Sequence, residues 1–188
     1  MRSEYIYIDS QLTDTIDIGT DMSLLLQGNY VYASVFTIGH KPVWLDRQLH
    51  YATLSYAHLY GVIPLLDANL VSGQITDMLS RNRKPLTGNS VNIYLIPPVK
   101  AADQPHLLIA HERTIIYNGY TVRSLRPRAI VTNYEIPFAG HRTSVSLTTA
   151  RYMEEYALRH GAQTALRANR AGKLVSSGDF PIIVIRDG

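Results

Sequence analysis

The chain has 188 residues, of which 46% are hydrophobic and 18% are charged, and its formal net charge is +3. These values are typical of a globular protein of one domain or two small ones. The absence of cysteine excludes disulfides, thiolate metal sites and a cysteine nucleophile. The first residues hold no apolar signal core, and no apolar run approaches the roughly 20 residues that span a bilayer. We therefore expect a cytoplasmic protein with no membrane partner.

The first part of the chain predicts two strands and a hairpin. Residues 5–9 are a short stretch rich in aromatic and β-branched side chains, and residues 31–38 are a longer one. Gly39 and Pro42 predict a turn after the second strand. Residues 43–45 are expected to pair back onto that strand.

Two helices are predicted next. Asp46 is expected to cap the first helix, which ends before Gly61. Its predicted buried stripe has the i, i+3, i+4 spacing of an amphipathic helix and consists of Leu45, Leu49, Ala52, Tyr56 and Leu59. Asp67 opens the second helix, which ends near residues 81–82. The core residues predicted for it are Leu70, Ile75, Met78 and Leu79.

Two further strands complete the predicted first lobe. Residues 91–96 and 106–110 are strongly apolar, and residues 100–105 between them are predicted to be a loop. Two helices packed against a strand-rich sheet make this lobe, residues 1–120, α+β.

The second lobe, residues 121–188, is predicted to begin with a strand and a helix. The strand covers residues 129–132, and the helix covers residues 145–160 and stops at Gly161. The inward-facing helix residues are expected to be Ala150, Met153 and Ala157. Short strands are predicted at residues 164–167, 173–175 and 182–185. The apolar last strand, followed by the turn dipeptide at residues 187–188, suggests an interrupted domain.

Three segments, in order, carry a family resemblance. Residues 28–35, Gly-Asn-Tyr-Val-Tyr-Ala-Ser-Val, resemble the Gly-Asp-Gly-Val-Phe-Glu-Thr strand of class IV aminotransferases. Residues 41–62 resemble their hairpin strand and His-x-x-Arg-Leu helix. Residues 142–188 resemble their lysine–helix–strand block. The resemblance implies the fold-type IV architecture shared by D-amino-acid and branched-chain aminotransferases and aminodeoxychorismate lyases. It also implies that the second lobe is C-terminally short.

The resemblance implies a pyridoxal-phosphate (PLP) site whose residues differ here. The family lysine that forms an imine with PLP corresponds to Arg142, and a guanidinium cannot form that imine because it stays protonated. The phosphate-binding arginine corresponds to Tyr51, the glutamate on the pyridine nitrogen to Ser176, and a later asparagine to Pro181. Together these differences predict a catalytically inactive homologue that holds no cofactor.

Three functional hypotheses remain open from the sequence. The first is an inactive scaffold that binds a small anion in the former cleft, through Arg142 with hydroxyl donors from Tyr51, Ser176 and Ser177. The second is an active PLP-dependent aminotransferase or aminodeoxychorismate lyase-type enzyme, if the alignment is shifted. The third is a non-enzymatic binding or scaffold module. If Arg142 has a structural role instead of binding a ligand, it is expected to form an ion pair with Glu135 or Asp179.

Other candidate sites are weaker. The seven histidines show no HxH or HExxH spacing, so no metal site is predicted, and His141 is interpreted as a turn or strand-edge residue. Residues 176–179 lack the Gly-x-Ser-x-Gly pattern and are predicted to be a loop. The arginines at 113, 123, 126 and 128 have no accompanying recognition motif, so no nucleic-acid partner is expected.

An apolar segment near the end of the given sequence predicts self-association. Residues 182–185, Ile-Ile-Val-Ile, form an apolar strand that invites pairing with another chain. The resembling family forms dimers, and closed twofold symmetry is the commonest arrangement of soluble oligomers. The sequence therefore predicts a homodimer.

Overall fold

The computed structural model describes residues 4–15, 28–98, 103–115, 128–138 and 140–177. By internal contacts the chain divides into two units. Unit 1 comprises Met1–Gly119 with His141–Ser144, and unit 2 comprises Tyr120–Gly140 with Val145–Gly188. The predicted strand at residues 182–185 and Pro181 lie outside the described residues, as does the side chain of Ser177.

Unit 1 contains a six-stranded antiparallel sheet with strand order β2-β1-β6-β5-β3-β4. Its strands are β1 Tyr5–Ile8, β2 Gln11–Asp14, β3 Val31–Ile38, β4 Lys41–Pro42, β5 Gly88–Ile96 and β6 His106–Ile115. Strand β2 was not predicted, because its four residues are mostly polar. It forms because Asp9 and Ser10 adopt φ of 46° and 68°, the left-handed conformation of a two-residue hairpin turn.

Helix α1, Leu45–Tyr60, follows the hairpin directly. The predicted stripe is confirmed, since Leu45, Leu49, Ala52 and Tyr56 are all buried. Two details of the prediction differ from the structure. The strand that pairs with β3 is β4, and of residues 43–45 Val43 continues the pairing, since its N–H donates to the carbonyl of Phe36 at 2.8 Å. The N-cap is Trp44, so the prediction of Asp46 is wrong. The chain turns into the helix at Trp44, with φ of 52°, which places Asp46 inside the first turn. There its charge still complements the helix dipole.

Helix α2, Ala68–Arg81, begins as predicted. Asp67 is its N-cap and accepts hydrogen bonds from the backbone N–H groups of Asn69 and Leu70. Leu70 was expected in the core but is 51% exposed, whereas Val71 is 1% exposed. The buried stripe runs through residues 71, 75, 78 and 79, and Leu70 lies about 100° around the helix from Val71.

Both helices pack on one face of the sheet around a single hydrocarbon core. The sheet contributes Val31, Ala33, Val35, Val91, Ile93, Leu95 and Ile109 to it, and the helices contribute Leu45, Leu49, Ala52, Tyr56, Val71, Ile75, Met78 and Leu79. Each fully buried aliphatic side chain contributes about 1.5–3 kcal/mol through removal of apolar surface from water. This face therefore supplies most of the stability of unit 1.

Unit 2 contains a three-stranded sheet with order β7-β8-β9. Its elements are β7 Ala129–Thr132, α3 Ser144–Arg159, β8 Thr164–Ala168 and β9 Leu174–Ser177. Strands β7 and β8 are parallel and are joined through α3, while β8 and β9 are antiparallel. The predicted inward residues Ala150, Met153 and Ala157 are buried. Ser176 and Ser177 were predicted in a loop but belong to β9, because each pairs with a residue of β8.

Two negative findings apply to the part of the chain that the structure describes. No helix there combines the length and the apolar character that crossing a bilayer requires. No group of three or more His, Asp or Glu side chains there is placed to hold a metal ion.

Candidate functional site

The segment His141–Ser144 adds a short strand to the edge of the sheet in unit 1. The Tyr32 N–H donates to the carbonyl of Arg142 at 3.0 Å, and the Ser144 N–H donates to the carbonyl of Tyr30 at 3.0 Å. These two bonds flank an antiparallel bridge between Val31 and Thr143. The segment therefore lies beside the first half of β3, and β4 pairs with the second half.

Side chains on both sides of Arg142 fix this segment. Nδ1 of His141 lies 3.0 Å from Oγ of Ser55 on α1, and the His141 ring stacks on His58 with centroids 4.8 Å apart. The Ser144 hydroxyl donates to the carbonyl of Gly28. Thr143 and Ser144 are buried. Arg142 is therefore held at a defined backbone position even though its own side chain is exposed.

The pleat of β3 determines the face on which Arg142 lies. Side chains alternate along a strand, and directly opposite residues of paired strands share a face. Val31 and Ala33 belong to the helix-covered core, so Tyr32 is on the opposite face. Arg142 pairs with Tyr32 and shares that opposite face, whereas His141 lies on the helix side and reaches Ser55.

Polar and aromatic side chains from β3, from β5 and from the residue just before β3 occupy the face next to Arg142. We call this set the tyrosine face; it consists of Tyr30, Tyr32, Ser34, Asn92 and Tyr94. The Ser34 hydroxyl donates to Oδ1 of Asn92 at 2.7 Å, and Nδ2 of Asn92 donates to the Tyr94 hydroxyl at 3.1 Å. The rings of Tyr30 and Tyr94 meet edge to face at 5.2 Å. Since Asn92 is only 5% exposed, this chain of hydrogen bonds is pre-organised.

The guanidinium of Arg142 makes no ion pair with any residue that the structure describes. The ion pair with Glu135 suggested by the sequence is wrong, because Glu135 binds Arg170 in a two-bonded contact. That contact holds the pKa of Glu135 below its ordinary value. The other suggested partner, Asp179, lies outside the described residues. Arg142 is thus an exposed cation beside the tyrosine face.

The other predicted anion-binding residues have separate neighbours. The ring of Tyr51 is 53% exposed on α1 and lies under the guanidinium of Arg47 at 5.7 Å. Tyr51 and Arg142 belong to unit 1, whereas Ser176 belongs to unit 2. The Ser176 hydroxyl accepts a hydrogen bond from Nε of Arg167 at 3.1 Å. That Tyr51, Ser176 and Arg142 bind one anion together stays a prediction.

A guanidinium at residue 142 does not fit an imine-bound PLP. Imine formation requires an amine that can lose its proton, which arginine does not provide. Of the described lysines, Lys84 is engaged in unit 1 by Glu4 at 2.5 Å, Lys41 is exposed on β4, and Lys173 is exposed in the turn before β9. None of the three belongs to the segment that pairs with β3 through Val31.

Most of this arrangement could not be predicted from the sequence. His141 was placed correctly at a strand edge, but its bond to Ser55 and its stacking on His58 were not predicted. One feature of the sequence indicates the tyrosine face. Polar residues occur there inside strands that are otherwise apolar, such as Asn92 between Val91 and Ile93. A buried polar residue of this kind is hydrogen-bonded in most proteins, so it marks a network.

Comparison with solved structures identifies the fold. A branched-chain amino acid aminotransferase from T.th. with pyridoxamine 5'-phosphate superposes with a TM-score of 0.76 at 13% identity, covering 95% of this chain and 63% of that chain. The Escherichia coli branched-chain aminotransferase gives 0.72 at 17% identity, with coverages of 94% and 63%. A fold IV transaminase from Curtobacterium pusillum gives 0.64 at 16% identity, with coverages of 94% and 67%.

No protein-family model and no curated protein matches the sequence. The chain spans about 63% of the length of the branched-chain aminotransferases to which it is similar. Identities of 13–17% establish the fold alone. The expected α+β architecture, with a small lobe and part of a large lobe, is confirmed, and the chain has the fold of the class IV aminotransferases.

Proposed function

We propose that this chain is a class IV aminotransferase-like protein that forms no imine with PLP and binds a small anion at Arg142. The main support for this proposal is the guanidinium of Arg142, which is exposed and has no ion-pair partner among the described residues. It lies in the segment that resembles the lysine block of the family. The backbone around it is fixed by hydrogen bonds to Tyr32 of β3 and to Tyr30, which precedes that strand. The cation is thus presented by a rigid support, which limits the entropy lost on binding.

The chemistry of arginine defines the class of anion. A guanidinium presents a planar fork of N–H donors that matches a carboxylate or a phosphate, and charge-assisted bonds of this geometry are about twice as strong as neutral ones. The neighbouring tyrosine face places aromatic rings and tyrosine hydroxyls next to this cation. A carboxylate or phosphate on a small organic molecule suits this combination better than a bare inorganic ion.

Borohydride trapping tests the absence of imine chemistry. The purified protein is incubated with PLP, reduced, and analysed by intact and peptide mass spectrometry. We expect no stoichiometric pyridoxyl adduct on any of its four lysines. The Arg142→Lys variant provides the positive comparison, because it places an amine at the same backbone position. A stoichiometric adduct on one lysine of the unmodified protein, with aminotransferase turnover, would establish the competing function of an active PLP enzyme.

Thermal-shift titration tests anion binding. Carboxylates and phosphates are screened at constant ionic strength, and hits are repeated on Arg142→Gln. Arg113→Gln is the matched control, because Arg113 is an exposed arginine on β6 of the same unit. We expect stabilisation of the unmodified protein and of the control, with a loss of stabilisation in Arg142→Gln. An equal loss of anion-induced stabilisation in both variants would indicate that the anions act on the overall positive charge of the protein and not at Arg142. No response in any of them would leave a scaffold role as the better account.

We further propose that the chain forms a homodimer, supported by the apolar sequence at residues 182–185. Light scattering at tens of micromolar is the direct measurement, and the expected mass is that of two chains. The Ile183→Asp variant is expected to dissociate the dimer if this sequence forms the contact. A mass of one chain for the unmodified protein would contradict the proposal.

A further inference from the structure

The stacked rings of His58 and His141 hold the segment that carries Arg142 against α1. The planes of the two rings are 18° apart and their centroids are 4.8 Å apart. Nδ1 of His141 also lies 3.0 Å from Oγ of Ser55, which precedes His58 by three residues on the same helix, and this contact joins positions 86 residues apart. The ring stack therefore ties the edge of the sheet to α1, directly beside Arg142.

Protonation of both rings places two positive charges face to face. Histidine is the side chain that changes its charge between pH 5 and 8. Two unit charges at this separation repel each other enough to destabilise the stacked arrangement about fourfold, even at the dielectric constant of water. Arg142 adds a permanent positive charge next to His141. The stack is therefore stable at neutral pH and is weakened where both histidines are charged.

No carboxylate compensates for this repulsion in the part of the chain that the structure describes, since neither histidine forms an ion pair there. Residues 28–38 and β5 contain no charged residue. The tyrosines nearest to His58 on α1 stay neutral, because burial raises the pKa of Tyr56 to about 12 and also raises that of Tyr60. The remaining charged or titratable side chains of α1, apart from Tyr51, lie two or more turns from His58, namely Asp46, Arg47 and His50.

We infer that protonation of this pair of histidines loosens the segment that carries Arg142. At neutral pH the ring stack holds the segment on α1. At lower pH the repulsion between the rings favours the arrangement in which the segment leaves α1 and its backbone bonds to Tyr32 and Tyr30 open. The pair thereby regulates the anion site by pH, and this consequence, but not the loosening itself, rests on the function proposed above.

Hydrogen exchange of the full chain, measured by NMR, tests the inference. The amide N–H groups of Tyr32 and Ser144 form the two backbone bonds of the segment, so their protection factors report how often it opens. Exchange rates are corrected for the intrinsic dependence of exchange on pH, and the amides of α2 serve as the internal reference. We expect the protection of both amides to fall about threefold between pH 7.5 and pH 5.5, since most but not all pairs carry two charges at the lower pH.

His58→Gln is the decisive variant, because it removes one of the two charges at an exposed position. The protection of Tyr32 and Ser144 should then change by less than about 1.5-fold over the same pH range. His50→Gln, which removes another exposed histidine of α1, is the matched control and should keep the threefold change. Protection that does not fall in the unmodified protein, or that falls equally in His58→Gln, would overturn the inference.

Anion titration separates this inference from the proposed function. Trifluoroacetate is a carboxylate that stays ionised at both pH values. Its affinity for the unmodified protein should fall by up to about threefold at pH 5.5, and its affinity for His58→Gln should not fall. A fall in protection without binding of any carboxylate or phosphate would support the loosening and contradict the anion function. Anion binding with unchanged protection would support the function and overturn the inference.

Discussion

The two faces of the six-stranded sheet in unit 1 are built from different side chains. The helix-covered face is a continuous layer of aliphatic residues closed by α1 and α2. The opposite face has a small apolar cluster around Ile6, Ile96 and Leu108, and next to it the hydrogen-bonded tyrosine face and Arg142. One face is thus specified by burial and the other by polar geometry. We therefore expect substitutions on the first face to cause the largest losses of stability, and substitution of Arg142 on the second face to change binding.

The largest effect is expected on the helix-covered face. Ile75 has no exposed surface, and the Ile75→Ala variant should lose about 2–5 kcal/mol of unfolding free energy because it leaves a cavity. Leu70→Ala on the same helix is the matched control and should stay within about 0.5 kcal/mol, since Leu70 is half exposed. Urea denaturation measures both. Similar losses in the two variants would contradict the assignment of the buried stripe.

A smaller loss is expected from the centre of the tyrosine face. Asn92→Ala removes a side chain that accepts from Ser34 and donates to Tyr94, and it should cost about 1–3 kcal/mol. Ser34→Ala, which removes one end of the network, should cost about 0.5–1.5 kcal/mol. A loss in Asn92→Ala that exceeds the loss in Ile75→Ala would mean that the two faces do not differ as described. Urea denaturation again provides the values.

A pH effect is expected from the edge of the helix-covered face. Burial, with a contribution from Lys84, lowers the pKa of His111 below its ordinary value of 6.5, and its Nε2 has no partner among the described residues. The unfolded chain therefore binds this proton more readily, so stability is complete above about pH 6.5 and decreases as the pH falls through that value. The slope contributed by one group is at most about 1.4 kcal/mol per pH unit.

The His111→Asn variant isolates this contribution. Unfolding free energies are compared at pH 7.5 and 5.5, and the decrease seen in the unmodified protein should become smaller in the variant. An unchanged decrease would assign the pH dependence to other groups.

The smallest change in stability is expected for Arg142→Gln. The side chain is exposed and has no ion-pair partner among the described residues, so unfolding free energy should stay within about 0.5 kcal/mol. Anion-induced stabilisation should nevertheless disappear. A large loss of stability without a ligand would show that Arg142 has a structural role, and it would remove the basis of the anion site. This variant is therefore expected to change binding without changing stability, which is the opposite of the effect expected on the helix-covered face.

Local patterns in the sequence account for the parts of the fold that were predicted correctly. The stripe Leu45, Leu49, Ala52 and Tyr56 was predicted because residues three and four apart share one face of a helix. Asp67 was predicted as an N-cap because its short carboxylate reaches the next free backbone N–H groups. Strand β3 has the same bounds in the prediction and in the structure. Each of these features depends on neighbours within a few residues.

The predictions that failed depend on the position of other segments. Tryptophan has no side-chain acceptor for capping, so nothing local favoured Trp44 over Asp46; the hairpin β3–β4 determines where α1 can begin. Leu70 has the composition of a core residue but lies outside the buried stripe of α2. Ser176 belongs to a strand because β8 supplies its partners. In each case the position of another segment decided between local alternatives.

The sequence by itself determined the helices, the principal strands and the presence of an arginine in the segment that resembles the family's lysine block, because these are properties of spacing and residue type. Only the tertiary structure decided what surrounds Arg142. Its strand pairs with Tyr32, and its neighbour His141 binds Ser55, across separations of 110 and 86 residues. Such contacts form only after the sheet and α1 have assembled, since the pleat of β3 assigns each side chain to a face. The same long-range pairing placed Arg142 beside the tyrosine face.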